Sequence, residues 1–255
     1  MLESHRHDSV LELRLARPPV NALDLGLLRA LRAALEDAPR HGARGVVLAG
    51  QPGMFSGGLD VPALLQLDRR GIAELWREFF GACAALASSP IPVVAALTGH
   101  SPAGGAVLSI FCDYRVMARS TDAAKPFRIG LNEVQVGLVV PAPIQAGLRR
   151  LVGSYRAERL MVAGAMIDSE EALRIGFVDE LAPVEVVLPR AHEWLAGLLA
   201  LPPRAMGETR RIARADLAAT FADTARLGVE EFVDGWFSEE SQRVLQALVA
   251  KLKAK

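Results

Sequence analysis

The sequence predicts an α/β fold with a helical C-terminal region, and three observations carry the prediction. Two short continuous apolar runs, Val46-Val47-Leu48-Ala49 and Val93-Val94-Ala95-Ala96-Leu97, have the character of strands covered on both faces. Longer segments with apolar residues at helical spacing lie between and after them. From about Pro141 onward helical patterning dominates, and the last fifty or so residues read as two or three amphipathic helices. The expected division is a βα-rich core over residues 1–200 and a helical region over residues 201–255.

The elements follow in order. The polar start, Met1 to Asp8, reads as a mobile tail carrying His5 and His7. Val10 to Leu15 alternates apolar and polar as a half-buried strand does, and Asn21-Ala22-Leu23-Asp24 leads into an amphipathic helix ending before Pro39. A buried strand over Gly45 to Gly50 precedes a first glycine segment, Phe55-Ser56-Gly57-Gly58-Leu59-Asp60-Val61. From about Gly71 to Ser88, Ile72, Leu75, Trp76, Phe79, Phe80, Cys83 and Leu86 recur at helical spacing until Pro90 and Pro92 stop the helix. The buried strand Val93 to Leu97 precedes a second glycine segment, Thr98 to Gly105, which opens a helix to about Phe111. Tyr114 to Ala118 reads as a strand, and Thr121 to Lys125 as a loop. Phe127 to Glu133 runs from a short strand into a turn, where Asn132 or the preceding residues are free to cap a helix whose first turn holds Glu133. Gly176 to Leu181 reads as a short strand, and a last helix carries an apolar stripe at Val244, Leu245, Leu248, Val249 and Leu252. No internal repeat is visible.

Composition narrows the function classes. With 255 residues and 51% hydrophobic content the chain buries a substantial core. Lys plus Arg equals Asp plus Glu at 29 each, so no global field favours nucleic acid or an acidic membrane surface. Cys83 and Cys112 sit in apolar helix-like segments without metal-site or disulfide spacing, and both are read as reduced core residues; no metal site is expected. The start lacks the apolar region of a secretory signal, and no uninterrupted apolar stretch reaches membrane-span length. A cytoplasmic location is expected, with no membrane partner.

The two glycine segments occupy equivalent places after buried strands, where ligands of open α/β sheets bind. If both open helices, their free N–H groups point at one ligand oxygen and stabilise negative charge there. Glu133 follows about one helix and strand later. Two backbone donors and one carboxylate base around a carbonyl suit an enolate. Neither segment has the Lys-Ser/Thr of a P-loop or a GxGxxG spacing. Ser56 and Ser101 lack an elbow motif or paired base for a nucleophile, His100 reads as a partly exposed loop residue, and His41 and His192 as solvated surface.

Five pieces in order carry a family resemblance: Phe55 to Asp60, Pro102-Ala103-Gly104-Gly105, Cys112-Asp113-Tyr114-Arg115, Ile129 to Gly137, and Ala172 to Asp179. From about Val10 to its C-terminus the chain resembles the crotonase, or enoyl-CoA hydratase/isomerase, superfamily, most of all the mitochondrial-type Δ3,Δ2-enoyl-CoA isomerases. The resemblance implies a ββα spiral core with C-terminal helices that pack subunits into a homotrimer or a hexamer of two trimers. It implies an acyl-CoA substrate, with coenzyme A part of that substrate and no separate cofactor. By the same resemblance Leu59 and Gly104 supply the oxyanion N–H donors, Glu133 is the catalytic carboxylate and Asn132 accompanies it. Ala22, Leu23, Gly57, Gly58, Asp60 and Val61 match the stretches lining the pantetheine and acyl path.

One departure separates subclasses. Hydratases of the family use two glutamates, and the position matching the first is Val107, which exchanges no proton. A single base suits isomerisation, with Val107 making the pocket drier and raising the proton affinity of Glu133. The alternatives are hydration, thioester hydrolysis with Glu133 activating water, or a non-catalytic member binding CoA or RNA.

Overall fold

A computed structural model describes residues 1–223 and 227–253, the last by its backbone alone, and its strands, numbered in chain order, form two sheets. The larger contains β1 (Leu2–His7), β2 (Val10–Leu15), β3 (Gly45–Ala49), β5 (Val93–Leu97), β7 (Tyr114–Arg119) and β10 (Glu180–Pro183), as neighbours in that order. The smaller contains β4 (Gly53–Met54), β6 (Gly99–Pro102), β8 (Arg128–Gly130) and β9 (Ile167–Asp168). The pairs β1/β2 and β8/β9 are antiparallel, and the other described pairs are parallel.

The helices are α1 (Leu25–Asp37), α2 (Val61–Leu64), α3 (Arg69–Ser88), α4 (Gly104–Ile110), α5 (Ala142–Val152), α6 (Ser154–Val162), α7 (Ser169–Arg174) and α8 (Val187–Leu199). A 3-10 turn spans Glu133–Val136. The C-terminal region adds α9 (Pro203–Ala213), α10 (Ala215–Ala219), α11 (Val229–Trp236) and α12 (Glu239–Lys253), four helices where the sequence predicts two or three.

The central strands β3 and β5 are apolar and buried at every position because both faces are covered. Val46, Leu48, Val93, Ala95, Leu97 and Met117 point into the main core, while Val47, Ala49, Val94, Ala96, Val116 and Ala118 face Val187, Ala191 and Leu195 of α8. Each of β3, β5 and β7 is followed by a short strand of the smaller sheet and then by helix, so the chain winds as a spiral of ββα turns. The repeat is structural; the three units share packing geometry rather than residues. Consequently the first glycine segment does not follow its long strand directly, since β4 intervenes, whereas the second begins at the end of β5 and itself contains β6, which carries the chain away from the large sheet.

The N-terminal residues are a strand, not a mobile tail. Leu2–His7 pairs with β2 from Leu2↔Leu15 to His7↔Val10. The Arg6 guanidinium donates to the carbonyls of Asp8, His41 and Gly42, fastening this edge. An outermost strand with most side chains exposed lacks the hydrophobic alternation by which strands are recognised. The strand expected over Gly176 to Leu181 begins at Glu180. The preceding residues form a turn, where the Asp179 carboxylate accepts from the Arg115 backbone N–H and pairs with its guanidinium.

The C-terminal helices are fastened to the core by buried polar contacts. Arg210 of α9 grips Asp113 with two bonds of 2.7 and 2.9 Å and donates to the Ser89 carbonyl at 2.5 Å. Phe232 of α11 packs on Trp76 of α3 with ring centroids 5.2 Å apart.

Candidate active site

The two glycine segments meet at Gly58. Its φ of +83° lies in the region glycine adopts freely. A β-carbon there would lie 3.1 Å from Ala103 Cβ and 3.3 Å from Gly104 N, so an unsubstituted residue lets the second loop approach the first. Leu23 closes the base of this junction, donating its N–H to Gly58 O at 2.7 Å and accepting from Asp60 N at 3.0 Å.

That bridge engages the groups on either side of Leu59 and leaves the Leu59 N–H without an acceptor among the described residues. Leu59 precedes Asp60, the N-cap of α2, so its donor is free because of strand pairing and not because it opens a helix. Gly104 is different: it is the first residue of α4, and its N–H is one of the unpaired donors at a helix start. Ala103 aims it. That residue has φ 44° and ψ −119°, a conformation costing about 1–3 kcal/mol for a side-chain-bearing residue. It is held there by Ala103 N donating to Gly130 O at 2.8 Å and Val107 N donating to Ala103 O at 2.9 Å.

Glu133 opens the 3-10 turn and is buried, with its Oε2 lacking any hydrogen-bond partner. Burial pushes its carboxyl pKa up to about 7, against a smaller opposing effect of its own backbone N–H. The turn is clamped from both sides: Gln135 Nε2 donates to Gly164 O at 2.8 Å, and Ser241 Oγ of α12 donates to Gly137 O at 2.6 Å. Asn132 stands at the N-cap position without capping, its Oδ1 buried and unpaired.

A cavity of about 620 Å³ gathers these groups. Its walls include Ala22, Gly57, Leu59, Asp60, Val61, Gly104, Asn132 and Glu133, eight of the ten residues singled out in the sequence. Leu23 and Gly58 lie outside the lining, supporting the junction from beneath. Val107 is fully buried in α4 and also outside the lining, so the expectation that it dries the pocket fails. Trp76, Phe79, Val136, Leu138 and Ile144 make the apolar wall instead. Phe80 turns away toward Phe232.

Sequence reading missed several lining residues. Arg17 stands at the cavity beside Asp24 at 3.0 Å and Asp60 at 2.5 Å. Leu248 and Leu252 reach the cavity from α12; their helical stripe announces a buried face but not what it covers. Among the described residues the lining holds no Ser, Thr, Cys, His, Lys or Tyr, so no side-chain nucleophile of those types faces the cavity. Ser56 Oγ donates to Asn21 O at 2.8 Å as part of the scaffold. His100 accepts from Arg128 N, and burial followed by the nearby Arg128 charge lowers its pKa. A larger groove of about 1250 Å³ along α1 and α3 contains none of the expected site residues.

The model of the enoyl-CoA hydratase/isomerase family matches residues 5–255. The chain belongs to the enoyl-CoA hydratase/isomerase family. Within this family, the mitochondrial enoyl-CoA delta isomerase 1 of Mus musculus is 32% identical over 257 residues, covering 100% of this chain and 88% of its own length. A probable enoyl-CoA hydratase of Mycobacterium tuberculosis is 33% identical over 199 residues, covering 78% of this chain and 74% of its own. The crystal structure of human mitochondrial Δ3-Δ2-enoyl-CoA isomerase superposes with a TM-score of 0.92 at 30% identity, covering 99% of this chain and 98% of the human one. The ββα spiral with a C-terminal helical region is therefore the family fold, and the chain is an enzyme of the hydratase/isomerase class.

Proposed function

We propose that this enzyme converts 3-enoyl-CoA thioesters to 2-enoyl-CoA thioesters, with Glu133 as its single acid/base. One observation carries the reading. Of the two carboxylates lining the cavity among the described residues, Asp60 is ion-paired with Arg17 and caps α2, whereas Glu133 has no charged partner. An unpaired buried carboxylate with a pKa near 7 is suited to take up and release a proton at neutral pH.

Ionised Glu133 removes a proton from C2, and the C–H electron pair enters a dienolate whose negative charge rests on the thioester oxygen. The Leu59 and Gly104 N–H groups donate to that oxygen. Protonated Glu133 then returns its proton at C4, leaving the double bond between C2 and C3. Atoms balance without water, metal or any cofactor beyond the coenzyme A of the substrate. Each oxyanion donor is worth about 2.7–4 kcal/mol and the base on the order of 10²–10⁴-fold in rate. Ala22, Leu23, Gly57, Gly58, Asp60, Val61 and Asn132 shape the acyl-CoA path. Val107, at the place of the hydratases' first glutamate, offers no second acid for water addition.

Incubation of the purified protein with 3-hexenoyl-CoA tests the assignment. Isomerisation raises the absorbance of the conjugated thioester without releasing thiol. Release of free thiol alone, or hydration of 2-hexenoyl-CoA faster than isomerisation, would overturn the proposal.

A further inference from the structure

We propose a divalent-metal site of the kind zinc occupies, made by His7 of β1, Glu12 of β2 and His192 of α8. It lies apart from the cavity, since none of the three lines it. Glu12 Oε2 stands 3.0 Å from His7 Nε2 and 3.3 Å from His192 Nε2, and the three ligand atoms all lie within 4.8 Å of one another. Bonds of about 2.0–2.1 Å in a tetrahedral zinc site put neighbouring ligand atoms roughly 3.3–3.4 Å apart. The two measured edges come close to that spacing, and the two imidazole nitrogens, within 4.8 Å of each other, would draw together on an ion.

The ordinary reading of such a trio is two imidazoles donating to one carboxylate and clamping α8 onto the hairpin. Two features favour a ligand. Both imidazoles converge on the same oxygen, while Arg14 Nη2 takes the other oxygen at 2.7 Å and fixes the orientation of the carboxylate. Such a support on a ligating carboxylate is characteristic of metal sites. The Glu12 side chain is only 3% exposed, an unusual place for an acid on a strand, yet the His7 side chain is 53% exposed. The site is thus anchored inside and open outside, leaving a coordination position for water. The Arg14 charge opposes the ion and holds the affinity below that of closed structural sites.

His5 supplies the control. It lies two residues earlier on the same strand, and its Nε2 sits 3.8 Å from Glu3 rather than in the trio. Chelator-treated protein titrated with zinc chloride in a calorimeter should take up one ion per chain and gain thermal stability. His7→Ala should weaken binding more than about tenfold. His192→Gln should do the same while keeping a donor toward Glu12, so its loss of binding is separable from loss of the clamp. His5→Ala should bind as the parent does. Absence of saturable uptake overturns the site. So does unchanged binding in His192→Gln, or equal losses in His5→Ala and His7→Ala, either of which marks chelation by the N-terminal histidines alone.

Discussion

Glu133 shows how burial alone raises the proton affinity of a carboxylate. Among the described residues no cation sits against it, and its raised pKa comes from desolvation. The rate of Glu133-dependent turnover should therefore rise with pH through about 7; an acid limb near the 4.5 of a free carboxylate would refute the desolvated-base reading. Glu133→Gln should lower kcat by on the order of 10²–10⁴-fold. The same shift has a stability consequence. A carboxyl whose pKa is raised in the folded state contributes stability below its unfolded value of 4.5, and that contribution is lost as pH rises through about 7. Glu133→Gln should accordingly be more stable than the parent at pH 8, by up to about 3 kcal/mol, with the gap closing toward pH 4.5. Urea titrations at both pH values measure it. Gly58→Ala should cost about 1–2 kcal/mol, because φ +83° is unfavourable with a β-carbon and Ala103 Cβ is 3.1 Å away. Separating the two loops should also depress kcat/KM for the thioester.

At the scale of elements, the site depends on α12. The helix supplies Leu248 and Leu252 to the cavity and anchors the 3-10 turn through the Ser241 hydroxyl. Ser241→Ala leaves the Gly137 carbonyl without that donor, an expected loss of about 1 kcal/mol. Because the turn carries Glu133, kcat should fall more than KM changes; an equal rise in KM alone would place the effect in substrate binding. Sequence reading found α12 by its stripe at Val244, Leu245, Leu248, Val249 and Leu252 and read it as core or subunit packing. Helical periodicity identifies a covered face without specifying the covering partner. The short strands β4 and β6 escaped for a related reason: two to four residues with glycine at one end carry too little pattern to register.

For the whole molecule, exposed apolar side chains remain after folding, including Tyr155 and Val162 on α6, Val139 beside the 3-10 turn, and Ile212 on α9. We expect these to be covered in a homotrimer or a pair of trimers, as the family resemblance implies. Sedimentation at micromolar concentration should give three or six chains; a single chain would contradict it. Among the described residues no helix is long and apolar enough to cross a membrane.

By itself the sequence determined the buried parallel strands, the helices between them, and the glycine segments and acid that meet at the cavity. Each is written in local chemistry: an apolar run for a strand covered on both faces, a glycine where loops touch, an acid after a short strand. Tertiary structure decided what local pattern cannot contain. It made the Leu59 donor free through pairing of its neighbours with Leu23, where the sequence suggests a helix start. It lined the cavity of Glu133 with Trp76, Phe79 and Leu138 and left Val107 outside that lining. It also turned a polar N-terminus into an edge strand and brought His7 to His192. Long-range packing sets desolvation, donor availability and the meeting of distant side chains, and those depend on neighbours that no window of sequence includes.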